Sequence, residues 1–303
     1  MRVDLRCYAI VDPETAGGHE LPDLCRMLAA GGTTLVQLRD KLSDTRVMVD
    51  RARACKAALG KVPLLINDRV DVALAIGCEG VHIGWDDMAP ADARRLLGPD
   101  AIIGLTINSP QRADATDLSL IDYAGIGGVY GTTSKQTKNS PIGVAGMAKV
   151  IEALHRCKPG FLTCGIAGIN AGNAAPVIEA GADGVSVISA LSMAKDPKAA
   201  TAELLRVVDA AREGARVAAR GDGVDEASSW AQRVAPERAD VHIDTSAREV
   251  TAQVSAPVDG PGCAASQHPV AGRPRLGHGE RPDDGGDAGE ARHPALQGVL
   301  VRR

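Results

Sequence analysis

Eight short apolar runs, each followed by a stretch of helical periodicity, constrain this chain more than any other feature of it. The runs are RCYAIVD, TTLVQLRD, PLLIND, GVHIG, AIIGLTI, DYAGIGGVY, GFLTCGI and GVSVISA; their partners include LPDLCRMLAAG, DTRVMVDRARACKAAL and GVAGMAKVIEALH. Strands that alternate with helices run parallel, because the helix carries the chain back to the edge it left. Eight such units ahead of residue 217 predict an α/β fold of the closed (β/α)8 TIM-barrel kind. A doubly wound open sheet is the alternative, but its G-x-G-x-x-G turn is missing after the first strand. The nearest glycine cluster, Gly125, Gly127 and Gly128, lies inside the sixth run. Aromatic residues make up 2% of the chain, so the core must be built from Val, Ile, Leu and Ala, which suits strands buried on both faces.

The pattern stops near Arg220. Beyond it stand a single Ile (Ile243), three Leu and a single aromatic (Trp230), with no lysine after Lys198. Such a segment buries too little apolar surface to offset the entropy of ordering it. Two regions are therefore expected: a catalytic barrel over 1–217 and a disordered low-complexity tail over 218–303. The arginine-only cations of the tail also fit a shifted reading frame of GC-rich DNA, which sequencing across the Arg220 codon tests.

The net charge of −4 gives no basic footprint for nucleic acid and no polybasic signal for a membrane. No apolar run reaches eighteen residues, so no membrane-spanning helix is expected. MRVDLRCYAIVD is too short and too acidic for a secretory leader, and a cytoplasmic protein is expected. The seven cysteines stand singly, none in C-x-x-C, and read as reduced core residues. Whether the chain assembles into a homo-oligomer is left open.

In a barrel of this kind the chemistry sits at the C-terminal ends of the strands. The second strand ends in Gln37, Leu38, Arg39, Asp40 and Lys41; alternation puts Gln37 and Arg39 on one side. A guanidinium fork with a nearby ammonium is an anion clamp. The plainer reading is a surface salt-bridge cluster with Asp40 and Asp44. The third strand ends in Asn67 and Asp68, and Asp86 and Asp87 follow the fourth. Two carboxylates beside Arg and Lys suit Mg2+ bridging to phosphate. The plainer reading makes these aspartates caps of the next helices. After the sixth strand, VYGTTSKQTKNSPIG carries Thr132, Thr133, Ser134, Lys135 and Lys138, the composition of a lid over an anion. The seventh and eighth strands end in GIAGI and ISA; Gly168 and Ser189 there suit a phosphate site. One side of the mouth thus looks built for diphosphate with Mg2+, the other for a monophosphate. His82, within the fourth strand, reads as structural.

The segments QLRDK (37–41), LLINDRVDVALA (64–75), GVHIGWDDM (80–88), the Thr-x-Ser-Lys stretch (132–135) and GIAGIN with NAAPVIEAGADGVSVISA resemble the thiamine phosphate synthase family, from about Cys7 to Ala211. The resemblance implies a transferase of an alkyl or aryl group acting on small-molecule substrates in thiamine biosynthesis. Such an enzyme joins 4-amino-2-methyl-5-hydroxymethylpyrimidine diphosphate to 4-methyl-5-(2-phosphoethyl)thiazole or its carboxylate. It implies that Gln37, Arg39, Lys41, Asn67, Thr106 and Lys135 hold the pyrimidine diphosphate, with Arg39, Lys41 and Lys135 catalytic. Asp68 and Asp87 would hold Mg2+, and Thr132, Ser134, Gly168, Ile188 and Ser189 the thiazole phosphate. Departures stand at Trp85-Asp86, where the family usually has Gln-Glu; at Thr106, usually Ser; and at Ala167, usually Gly. The Cβ of Ala167 requires a negative φ. A thiazole tautomerase and a non-catalytic phosphate-binding barrel are the rival readings.

Overall fold

The computed structural model describes residues 3–132, 140–221, 240–244, 251–255 and 298–299. Eight parallel strands close into a barrel: β1 (Cys7–Val11), β2 (Leu35–Leu38), β3 (Leu64–Asn67), β4 (Gly80–Ile83), β5 (Ile102–Thr106), β6 (Tyr123–Ile126), β7 (Thr163–Ile166) and β8 (Gly184–Val187). β1 pairs with both β2 and β8, which closes the ring. The helices are α1 (Leu21–Gly31), α2 (Thr45–Leu59), α3 (Val70–Ile76), α4 (Pro90–Leu97), α5 (Pro110–Asp114), α6 (Gly143–Cys157), α7 (Ala175–Glu179), α8 (Ser189–Ser192) and α9 (Pro197–Gly221). The expected (β/α)8 barrel is the fold; α8 is an additional single turn between β8 and the eighth crossover helix.

Strand alternation sorts the two cores. Val36, Leu38, Leu64, Ile66, Val81 and Ile83 face outward onto the helices. Tyr8, Leu35, Leu65, Ile102, Tyr123 and Cys164 fill the barrel interior. Each fully buried Leu or Ile of this kind contributes roughly 1.5–3 kcal/mol. α1 shows how sequence sets a helix. Leu21, Leu24, Cys25 and Leu28 recur at helical spacing and are buried, a proline sits in its first turn, and Gly32 ends it at φ +95°. Cys7, Cys25, Cys55, Cys78 and Cys164 are free thiols, as expected; Cys157 is disulfide-bonded, against that expectation.

The chain divides into two compact units, Met1–Arg216 and Val217–Arg303. Regular structure runs past residue 217: α9 continues to Gly221 through the strong helix formers Ala218, Ala219 and Arg220. The described part of the second unit also has a small antiparallel sheet of β9 (Asp240–Asp244), β10 (Thr251–Ser255) and β11 (Gly298–Val299), in the order β11–β10–β9. The expectation of disorder over 218–303 otherwise falls outside the described residues. Among the described residues no helix is long and apolar enough to cross a membrane.

Candidate active site

At the end of β2, Gln37 is buried and donates from Nε2 to the hydroxyl of Tyr8. Arg39 donates from Nη1 to Asp12, a buried carboxylate just past β1 that also accepts from the Glu14 amide at 2.9 Å. Asp12 therefore fixes the guanidinium at the mouth. Lys41 is ion-paired with Asp68. Asp40 points elsewhere: it pairs with Arg51 and accepts from the Ser43 amide at 3.0 Å. Burial pushes its carboxyl up, but the Ser43 amide and hydroxyl and Arg51 together bring it below the ordinary value. The plainer reading of this stretch, with Arg39 and Lys41 spent on Asp40 and Asp44, does not hold.

Asp68 and Asp87 meet. Asp68 stands just past β3 at φ +60°, tied by its amide to the carbonyl of His82 at 2.8 Å. Its Oδ2 accepts from Asn67 Nδ2 at 2.6 Å. Asp87 accepts from the Gly84 amide at 2.9 Å, and the two carboxyls share a hydrogen bond. Burial pushes both up. At Asp68, hydrogen bonds from Lys41 and Asp87 outweigh it and the carboxyl falls; at Asp87, the charge of Asp68 adds to it and the carboxyl rises. The capping reading fails for both, because α3 and α4 begin after Arg69 and Ala89 and neither has a side-chain cap.

Across the mouth, the ends of β5 to β8 enclose a cavity of about 830 Å³ lined by Thr106, Thr132, Gly168, Ile188 and Ser189 among others. Ala167 and Gly168 are both left-handed, at φ +82° and +67°. Ala167 thus contradicts the requirement of a negative φ. Backbone bonds pin it there: Tyr130 N donates to its carbonyl at 3.1 Å and Val129 N to Ile166 O at 2.9 Å. At Gly168 a side chain would collide with Gly131 O and come within 2.7 Å of Tyr130 Cβ. A second concavity, at the opposite end of the barrel, has its cations occupied: Arg6 pairs with Asp4 and Asp209, and Arg212 donates to Asp183 O.

The family model for thiamine monophosphate synthase matches residues 7–191. The chain belongs to that family. The thiamine-phosphate synthase of Agrobacterium fabrum is 45% identical over 212 residues, 69% of this chain and 96% of that one. The enzyme of the same name from Xanthobacter autotrophicus is 44% identical over 69% of this chain and 98% of its own. The solved structure of thiamine phosphate pyrophosphorylase from Pyrococcus furiosus superposes with a TM-score of 0.60 at 32% identity, covering 69% of this chain and 98% of that one. The chain is accordingly a transferase of thiamine biosynthesis.

The family's strand ends bring Gln37, Arg39, Lys41, Asn67, Asp68 and Asp87 to one side of the mouth, and Thr106, Thr132, Gly168, Ile188 and Ser189 to the other. Thr133, Ser134, Lys135 and Lys138 lie outside the described residues. Trp85 sits at the rim, 37% exposed, with the Arg112 guanidinium 4.6 Å from its ring centroid. Sequence reasoning missed Asp12, Tyr8 and Tyr123, and took His82 as structural. That reading fits a buried ring bonded at both nitrogens, to Tyr123 Oη and to Thr106 Oγ1, each at 2.9 Å. The available signal was strand parity: Tyr8, Gln37, His82, Thr106 and Tyr123 all fall on inward positions, where an apolar side chain is the rule.

Proposed function

We propose that the chain condenses 4-amino-2-methyl-5-hydroxymethylpyrimidine diphosphate with 4-methyl-5-(2-phosphoethyl)thiazole, or its carboxylate, giving thiamine phosphate and diphosphate. The observation that carries this is the joined pair Asp68 and Asp87, contacted by Lys41, across the mouth from a cavity whose described lining residues are uncharged. Mg2+ fits the pair: two hard carboxylate oxygens at an open mouth leave room for water and substrate phosphate to complete an octahedron. Among the described residues no cluster of three or more His, Cys, Asp or Glu could hold a metal, so the ion would be held by this pair together with substrate. When bound it would offset charge on the departing diphosphate.

The chain's own residues do the rest. Arg39, held by Asp12, and Lys41 stabilise the leaving diphosphate, with Lys135 joining them from the segment between β6 and α6. Asn67 orients Asp68. The pyrimidine amino group feeds electrons into the ring, so the exocyclic carbon–oxygen bond breaks to leave a stabilised cation. The thiazole nitrogen then attacks with its own lone pair, and no general base is required. Thr132, Ser134, Gly168, Ile188 and Ser189 hold the thiazole phosphate, the last of these beside the first backbone amides of α8. A cytoplasmic location accords with soluble small-molecule substrates.

A tautomerase or a binding-only barrel would have no use for Lys41, Asp68 and Asp87 together. The test is incubation of the full chain with both substrates and Mg2+. Thiamine phosphate and diphosphate in equal amounts, lost with a chelator, are expected. Tautomerisation of the thiazole without condensation would sink the proposal.

A further inference from the structure

A guanidinium stands just outside the uncharged cavity of the mouth. It belongs to Arg112, in the short helix α5. Ser109 caps that helix and accepts from the Arg112 amide at 3.3 Å, which fixes where the side chain starts. The guanidinium stacks on Trp85, its Cζ 4.6 Å from the ring centroid. Its Nη1 donates to Asn108 Oδ1 at 3.1 Å. Among the described residues Arg112 forms no ion pair, whereas Arg6, Arg39, Arg51 and Arg94 each meet a carboxylate.

Asn108 links this charge to the cavity. It lines the cavity beside Thr106, and Arg112 does not. A guanidinium only donates, so the amide oxygen must be the end that faces it. The Nδ2 end, with two hydrogens and no partner among the described residues, is left to donate to a ligand. Accepting from Arg112 polarises the amide and strengthens those two donors. A wall without a formal charge of its own thus presents a donor backed by one.

The two thiazoles differ at that wall. Thiamine is substituted at N3, C4 and C5 of its thiazole ring, so the extra carboxylate stands on C2, on the far side of the ring from the phosphoethyl arm on C5. A phosphate seated at Gly168, Ile188 and Ser189 holds that arm against the ends of β7 and β8. C2 then points to the other wall of the cavity, which the end of β5 forms with Thr106 and Asn108. A carboxylate there leaves water for a cavity whose described lining is uncharged, which is costly unless a strong donor meets it.

We propose that Arg112, braced on Trp85, is a positioning residue that aims the Asn108 amide at the C2 carboxylate, so that the pair makes the chain favour the carboxylated thiazole phosphate over the decarboxylated one. This rests on the synthase reading above and adds the choice between its two thiazoles.

Calorimetric titration of both thiazole phosphates into the full chain tests it. The carboxylated form should bind about tenfold more tightly, the size of one charge-assisted hydrogen bond. Arg112→Met keeps a side chain on Trp85 without the charge; there the advantage should vanish while affinity for the decarboxylated form stays within about twofold. Arg112→Lys keeps a charge but not the planar fork, and should retain part of the advantage. Asn108→Asp puts an oxygen where the amide donates, and should abolish it. Equal affinity of the unmodified protein for the two forms would overturn the proposal. So would an Arg112→Met that weakens both forms equally or lowers only the thermal midpoint. Where the unmodified protein still makes thiamine phosphate, those results leave the synthase reading intact. A protein that binds neither form and makes no product would sink the synthase reading and the preference together.

Discussion

On the proposed reading, the two halves of the barrel mouth would meet phosphate by different means. On the β2–β4 side the groups are charged side chains held by other charged side chains: Arg39 by Asp12, Lys41 by Asp68, Asp68 by Asp87. On the β6–β8 side they are backbone conformations, Ala167 and Gly168 at positive φ beside the start of α8, in a cavity whose lining among the described residues is uncharged. The first half should therefore respond to metal, pH and removal of a charge. The second is sensitive to a Cβ. A mouth divided in this way can seat a diphosphate and a monophosphate together without either competing for the other's place.

The largest effect should come from the charged half. Asp87→Asn should lower thiamine phosphate formation by about 100-fold or more while leaving thiazole phosphate affinity within about twofold; kinetics and calorimetry on the same preparation check both. An equal loss of thiazole phosphate binding would break the division. Gly168→Ala should do the reverse. A side chain there meets Gly131 O and Tyr130 Cβ and takes a left-handed φ, so about 1–3 kcal/mol of strain falls on the phosphate loop. KM for the thiazole phosphate should rise, and the response of the protein to Mg2+ with diphosphate should not change.

The pH response sharpens the comparison. Asp68 is lowered in the folded protein, so its contribution to stability is present above the ordinary carboxylate value and is lost as pH falls through its folded value. Asp87 is raised, so its contribution has the opposite sign: present at low pH, and lost as pH rises through its folded value. A Mg2+ ion held by this pair as proposed would need both carboxylates ionised. The gain in thermal midpoint on adding Mg2+ should therefore grow as pH rises through the Asp87 transition, and thiazole phosphate binding should show no matching step. The smallest effect is Ala167→Gly, which relieves a left-handed alanine; about 1 kcal/mol of added stability with activity kept is expected in a thermal melt.

Much of this was legible in the sequence. Eight alternating units fixed the barrel because no other arrangement buries both faces of so many parallel strands. The charges of the β2–β4 side were legible because a barrel collects strand ends at one face, so Gln37, Arg39, Asp68 and Asp87 needed only their position in each run. Partner choice was not legible. Arg39 finds Asp12 rather than its neighbour Asp40 because β1 closes against β2, and Tyr8 meets Tyr123 across the interior from 115 residues away. The conformation of Ala167 was hidden for the same reason: it is imposed by the Tyr130 amide on a neighbouring loop. α8 escaped because four residues carry no periodicity, and α9 ran on past 217 because helix-forming composition outlasts the apolar stripe.

The most direct test of the divided mouth is calorimetric titration of inorganic diphosphate and of the thiazole phosphate into the full chain, each with and without Mg2+. The account expects diphosphate to bind only with Mg2+, and thiazole phosphate to bind equally well in either case. Metal-free diphosphate binding, or a thiazole phosphate affinity that follows Mg2+, would contradict it.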